Sequence, residues 1–464
     1  MMKIISTLCM LIIAAISIVS AAAADKPNIL YINIDDLGIM DVGYNNSKFN
    51  TPHIDQLVKD GMLFSNAYAP AANCEPSRAC VHSGQWGARH GVYTVGSSER
   101  GKATTRRLIP TPNSHGLEGL TTMAMALKAA GYKTIHLGKY HMGKDPLRLG
   151  YDVNVGGDQS GGPSGGGYFS PWTRGAMSKW SDQYHKGTHR MDVFADQAVK
   201  FMQTHRDEAM FIHFSPYSVH TGLEKVPQFY EKYKGTGVDA VYASMVENVD
   251  KGVGKVLTAL SELGLAENTL VVFSSDNGGI RSISPQDPYR AGKGSYYDGG
   301  IREPLVMRWP GKITPASSND TPVCTLDLYP TFLAAAHLER PQDTVLDGVD
   351  LMPLMTGSGS IEERALYWHF PIYLQAYNPK EDDGRDPLFR TRPGSAMRFG
   401  KWKLHEYFED GAFELYDLES DPGERNDLAA SMPDKLNALK KMLFKWRADI
   451  DAPVPRKLNP QFVP

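Results

Sequence analysis

Four short apolar, β-rich runs, each followed within a few residues by groups that carry chemistry, constrain this chain more than any other feature. Residues 28–34 (NILYINI) lead into Asp35 and Asp36, residues 134–137 into Lys139 and His141, residues 210–214 into His220, and residues 270–273 into Asp276 and Asn277. A further run lies at 305–307. Helical patterns fall between them. Residues 121–130 stop at Gly131, and Met245, Val249, Val253, Val256 and Leu260 recur at spacings of four, four, three and four. Apolar strands alternating with helices predict an α/β fold whose mostly parallel central sheet is covered by helices on both faces. In such a sheet ligands bind outside the carboxyl ends of the strands, so the polar residues should converge on one edge.

Composition agrees with a large globular core. Of 464 residues, 42% are hydrophobic and 22% charged, which excludes a disordered or fibrous chain. Forty-nine Lys and Arg against 52 Asp and Glu leave a net charge of −3, so bulk charge gives no footprint for nucleic acid. Lys3, an apolar run over residues 4–19 and Ala22-Ala23-Ala24 read as a secretory signal over residues 1–24. The mature protein is then expected to be exported, periplasmic or secreted, with no stable membrane span. Beyond Cys9 the chain has Cys74, Cys80 and Cys324, an odd number, so at least one thiol stands outside any internal disulfide. Whether Cys80 and Cys324 pair is left open by the sequence.

Two segments rich in Gly, Ser and Pro, residues 156–167 and 282–294, read as long loops and candidates for a substrate rim. Past about residue 360 the pattern changes. Residues 396–405 and 413–418 read as hairpin strands and residues 433–448 as one closing helix. The expected organisation is therefore a catalytic α/β domain over residues 25–360 and a smaller C-terminal α+β subdomain over residues 361–464.

The sharpest local signal is Cys74-Glu75-Pro76-Ser77-Arg78. Pro76 suits the first turn of a helix running toward Gly84, which would leave Cys74 at the N-terminus beside free N–H groups. A thiol there is expected to have a lowered pKa, and an anion is welcome. Asp35, Asp36, Asp276 and Asn277, taken singly, could be caps and turns. Two adjacent carboxylates converging with a third, however, repel unless a cation neutralises them, and oxygen-only ligands favour Ca²⁺ or Mg²⁺ over zinc.

The pentapeptide resembles the signature of type I sulfatases in the alkaline phosphatase superfamily, whose cysteine is oxidised to formylglycine. Similar blocks follow in family order: KPNILYINIDDLG, TPHIDQLVKDGMLFSNAY, GYKTIHLGKYHMG, NTLVVFSSDNGG, GKGSYYDGGIREPLVMRWPG and ELYDLESDPGERNDLA. Three positions depart from the family pattern: Ser83 before Gly84, Tyr140, and Val219 before His220. None removes a reacting group.

The resemblance implies an alkaline phosphatase-like fold and one Ca²⁺ ion held by Asp35, Asp36, Asp276, Asn277 and the modified Cys74. It implies that Lys139 and Lys293 hold sulfate oxygens, that Arg78 and His141 hold and polarise the hydrated aldehyde, and that His220 protonates the leaving oxygen. A formylglycine-generating enzyme is the implied maturation partner and a sulfated carbohydrate the implied substrate. Residues 92–113 and 156–171 look most like bacterial polysaccharide sulfatases, with Lys102, Arg106 and Arg107 as candidate glycan contacts. The competing readings are a phosphodiesterase or phosphonate monoester hydrolase of the same superfamily, and a binding protein that has lost catalysis. Retention of the nucleophile, four metal side chains and two lysines weighs against the last.

Overall fold

The computed structural model describes residues 26–463 apart from Ser164. The expected signal over residues 1–24, Cys9 included, lies outside the described residues.

The main sheet is built from β1 (Asn28–Ile34), β2 (Met62–Phe64), β3 (Lys133–Gly138), β4 (Val153–Val155), β5 (Met210–Ser215), β6 (Thr269–Ser275), β7 (Leu305–Arg308) and β8 (Ser317–Asn319). Their spatial order is β4-β3-β5-β1-β6-β7-β2-β8. The first five are parallel neighbours, as expected. The run at 305–307 enters antiparallel, pairing Phe273 with Val306 in β6 and Leu63 with Val306 in β2.

β1 shows why these strands read as continuous apolar runs: all seven residues are buried. Leu30, Ile32 and Ile34 face one core, shared with α4 (Arg190–Thr204) and α5 (Ala240–Glu262), while Ile29 and Tyr31 face another. That second core contains Ala79 and Val81 of α2 (Cys74–Ser83), Leu127 of α3 (Met123–Ala129) and Phe332 of α6 (Leu328–Ala335). A strand covered on both faces has no polar side for alternation to reveal. On the first face α1 (Pro52–Asp60) adds Ile54 and Leu57. Helix α5 starts on Asp239, whose carboxylate accepts from Tyr242 N at 2.8 Å. Helix α3 starts two residues later than its pattern suggested because Thr122 caps it, Oγ1 accepting from Met125 N at 3.2 Å.

A separate antiparallel sheet follows, ordered β9 (Leu366–Phe370), β10 (Gly394–Phe399), β11 (Trp402–Tyr407), β12 (Phe413–Asp417). Leu439 and Leu443 of α7 (Pro433–Asp449) pack on Met397, Leu404 and Leu415 of this sheet. A buried ionic network ties the sheet to the main body: Lys403 Nζ lies 2.6 Å from Asp298 and 2.9 Å from Glu424, all three fully buried. Cys74, Cys80 and Cys324 are all free thiols, so the pairing left open by the sequence does not occur. None of the described helices is long and apolar enough to cross a membrane.

Candidate active site

The parallel strands deliver their polar residues to one edge. Asp35 and Asp36 leave β1, Asp276 and Asn277 leave the adjoining β6, Ser215 closes β5 on the other flank, and Lys139 and His141 follow β3. Backbone pairing extends the order beyond the strands. Asp35 N donates to Ser218 O at 3.2 Å and Val219 N donates to Asp35 O at 2.7 Å, pinning the segment before His220 to the end of β1. Asp36 adopts φ 61°, a left-handed backbone, with its N–H donating to Asp276 Oδ1 at 3.0 Å. Such a conformation persists only where the surroundings hold it.

Helix α2 aims its N-terminus into this cluster. Cys74 is its first residue, Pro76 sits in the first turn, and Gly84 ends it at φ 69° with its N–H on Cys80 O. Cys74 Sγ lies 3.1 Å from Lys293 Nζ and 3.7 Å from Asp36 Oδ1. One turn on, Arg78 Nε donates to Asp276 Oδ2 at 2.8 Å, and Nη1 donates to Lys139 O at 3.0 Å and Ser215 Oγ at 2.5 Å.

The site is a set of three buried ion pairs: Lys139 on Asp35 at 2.7 Å, Lys293 on Asp36 at 2.6 Å, and Arg78 on Asp276. Against burial, Asp35 holds Lys139 above its ordinary pKa and Asp36 does so for Lys293. Burial, supported by Asp35 and Asp36 and opposed by Arg78 and Lys139, pushes Asp276 up to about 6. The Cys74 thiol departs from expectation. Burial pushes it up to about 12, outweighing the pull of Lys139 and Lys293, so its place at a helix N-terminus does not lower its pKa.

Two histidines flank the cluster. His141, at φ 67°, is buried, and burial with the neighbouring Lys139 and Arg78 keeps it neutral; its Nδ1 has no hydrogen-bond partner. His220 is one-fifth exposed, with Nδ1 3.0 Å from Thr221 O and Nε2 3.9 Å from Asp36 Oδ2. Burial, then Lys139 and Lys293, push it down to about 3. The glycine loop expected at the rim lies directly over both rings. A Cβ on Gly161 would meet His141 Cε1 at 2.8 Å, and one on Gly162 would meet His220 Nδ1 at 3.2 Å.

The cluster fits a hard cation. Asp35, Asp36, Asp276 and Asn277 are buried oxygen donors, and Asn277 Oδ1 has no hydrogen-bond partner. Ligand atoms of Asp35, Cys74 and Asp276 lie within 4.8 Å of one another, as do those of Asp36, Cys74 and His220.

Some sequence expectations move. The 282–294 loop is only partly rim, because buried Ser284 donates to Asp41 Oδ2 at 2.5 Å and Gln286 Oε1 accepts from Met40 N at 3.0 Å. Arg106 is no free glycan contact, since it is buried with Nη1 on the carbonyls of Glu99 and Gly101. His213, a histidine within the third apolar run that the sequence reading did not assign to the site, lies outside the cluster, stacked on Tyr31 at 5.0 Å with Nδ1 3.0 Å from Tyr151 Oη. Sequence reading missed Ser215, although it directly follows the third apolar run. It also missed Arg390, whose Nη1 holds Lys293 O at 2.7 Å from 97 residues away and which carries no local signal.

Residues 27–338 match the family model described as Sulfatase, and residues 292–449 match N-sulphoglucosamine sulphohydrolase, C-terminal. A protein named Sulfatase from Formosa agariphila is 32% identical, the match covering 92% of this chain and 89% of that one. Arylsulfatase A of Homo sapiens is 30% identical, over 93% and 90% of the two chains. The crystal structure of Ps i-CgsB in complex with k-i-k-neocarrahexaose is similar at a TM-score of 0.73 and 28% identity, over 91% and 92%. With a family model spanning most of its length and an edge of the sheet that gathers the signature cysteine, lysines and carboxylates, this chain belongs to the sulfatase family and is a sulfuric ester hydrolase.

Proposed function

We propose that the protein removes sulfate from a sulfated carbohydrate, using residue 74 in its formylglycine form and one Ca²⁺ ion. The observation that carries this reading is the convergence on buried Cys74 of Lys293, Asp36 and the Arg78–Asp276 pair. The carbohydrate preference is supported by the oligosaccharide-bound relative. Hydrated formylglycine supplies a hydroxyl nucleophile that thiol chemistry lacks, and Ca²⁺ supplies Lewis-acid polarisation of a sulfate oxygen. Asp35, Asp36, Asp276 and Asn277 would hold the ion.

The chain's own cations do the remaining work. Lys139 and Lys293 reach carboxylates that a divalent ion also claims, and their ammonium groups are the donors suited to a sulfate's negative oxygens. Arg78, held by Asp276, Ser215 and the Lys139 carbonyl, keeps Nη2 without a hydrogen-bond partner and would orient residue 74. His141 stands beside it. His220 Nε2 faces the cluster and donates the proton to the departing sugar oxygen. The secretory signal expected over residues 1–24 supports an activity outside the cytoplasm, after a formylglycine-generating enzyme has acted on Cys74.

The test is chemical. Protein coexpressed with that maturase should show an aldehyde in place of the thiol in the residue 74 peptide by mass spectrometry. Cys74→Ala should fold and lose all turnover of 4-nitrophenyl sulfate. Full activity in Cys74→Ala would refute the covalent reading.

A further inference from the structure

A cavity of about 950 Å³ opens beside the nucleophile helix, at the upper end of the roughly 300–1,000 Å³ typical of small-molecule sites. His141 lines it on the side of the reacting cluster, with Gly161 next to it. Apolar groups, among them Val95, Leu120, Met125, Met142 and Leu149, form much of the wall. The charged groups are sorted by depth. Lys144, Arg148 and Glu118 are exposed at the rim, whereas Glu75 is 6% exposed and is the only charged side chain that is buried among the described lining residues. Its Oε1 lies 3.1 Å from Nδ1 of the half-exposed His115, which holds the carboxyl group toward the cavity mouth.

Glu75 is the second residue of α2, adjacent in sequence to Cys74. The cavity that Glu75 lines meets the reacting cluster at His141, so a sugar that occupies it with its sulfate toward residue 74 lays part of its ring against this carboxyl group. A carboxylate has only acceptors to offer, so it matches hydroxyl donors and opposes a second anion. Building on the sulfatase reading above, we propose that Glu75, oriented by His115, is a specificity-determining residue that selects a singly sulfated, otherwise uncharged sugar in the leaving-group subsite. A uronate or a second sulfate on that same ring is rejected.

Competition against 4-nitrophenyl sulfate hydrolysis tests this without knowledge of the natural sugar. The probes are galactose and N-acetylglucosamine as 6-sulfates, each beside its disulfated counterpart, with wild type, Glu75→Gln, Glu75→Ala and His115→Ala. Wild type should be inhibited at least about tenfold more strongly by the monosulfated member of a pair, and Glu75→Gln should bring that ratio to within about threefold. Glu75→Ala should weaken inhibition by the monosulfated sugar, and His115→Ala should do so less. Thermal unfolding midpoints near that of wild type report that all three variants fold, and each inhibition ratio is taken against the variant's own aryl sulfate rate. An unchanged ratio in Glu75→Gln, or no inhibition by any sugar, overturns the assignment of Glu75 alone. A matured wild-type enzyme that does not hydrolyse aryl sulfate overturns the sulfatase reading of the site, and this assignment with it.

Discussion

If His220 is the general acid, its removal must be felt in proportion to how badly the leaving group needs a proton. The ring is placed for that task. Nδ1 lies 3.0 Å from Thr221 O, which accepts its proton, so Nε2 is the nitrogen turned toward Asp36 and the reacting cluster. Burial and the two lysines keep the imidazole neutral without substrate, so the acid form must be induced when an anionic ester settles against Lys139 and Lys293. General acid catalysis contributes about 10²–10⁴-fold, or about 3–5 kcal/mol. His220→Ala should accordingly lower kcat/KM by that factor on an alkyl sugar sulfate, whose alkoxide cannot leave unaided. On 4-nitrophenyl sulfate the loss should stay within about tenfold. The control is Lys293→Ala: its ammonium serves the sulfuryl group, which both substrates share, so both should slow by a similar factor of about 10²–10³. The assay is initial-rate kinetics on the two substrates across pH, and the sugar sulfate rate should be lost as pH rises through the acid's titration. Equal losses on both substrates in His220→Ala would refute the reasoning and leave His220 a positioning group. His141, with its unpartnered Nδ1, would then be the remaining candidate, since His213 stands apart in the Tyr31 and Tyr151 packing.

Exhaustive chelation should abolish turnover, and Ca²⁺ should restore it. Asp276→Asn should weaken calcium binding in titration calorimetry because a charged oxygen ligand is lost, and full activity after chelation would exclude the metal assignment. Lys403→Ala should destabilise the fold by about 3–5 kcal/mol in chemical denaturation, because it strands the buried Asp298 and Glu424 carboxylates without their shared cation. A wild-type denaturation midpoint would show that the network contributes no net stability.

The sheet was legible in the sequence because its central strands are buried on both faces and therefore appear as unbroken apolar runs ending in charge. The direction of β7 was not, since a four-residue apolar strand reads the same whichever way it runs. The cluster of charged groups was legible for the same reason as the strands: Asp35, Asp36, Lys139, Asp276 and Asn277 follow their ends. What holds that cluster in place was not. Arg390 reaches Lys293 from a distant β-strand, and Ser284 and Gln286 leave an apparently open loop to satisfy buried Asp41. The Cys74 expectation failed on a matter of magnitude. A helix N-terminus offers at most about 2 kcal/mol to an anion, whereas full burial can shift a titration by 3–5 pKa units.

The spacing inside the pentapeptide explains why it says more than the longer blocks around it. Residues four apart share a helix face, so Cys74 and Arg78 both look into the reacting cluster, one beside Lys293 and the other clamped on Asp276. Pro76 falls in the first turn, where its missing N–H breaks no helical bond. All ten residues of α2 are buried, so no position in the signature is free of packing demands. Glu75 is turned about 100° from Cys74 and looks into the neighbouring cavity, where His115 meets it. Of the pentapeptide's two charged side chains it is the one that takes no part in the ion pairs around residue 74. Substrate choice can be altered there while the reacting groups keep their places.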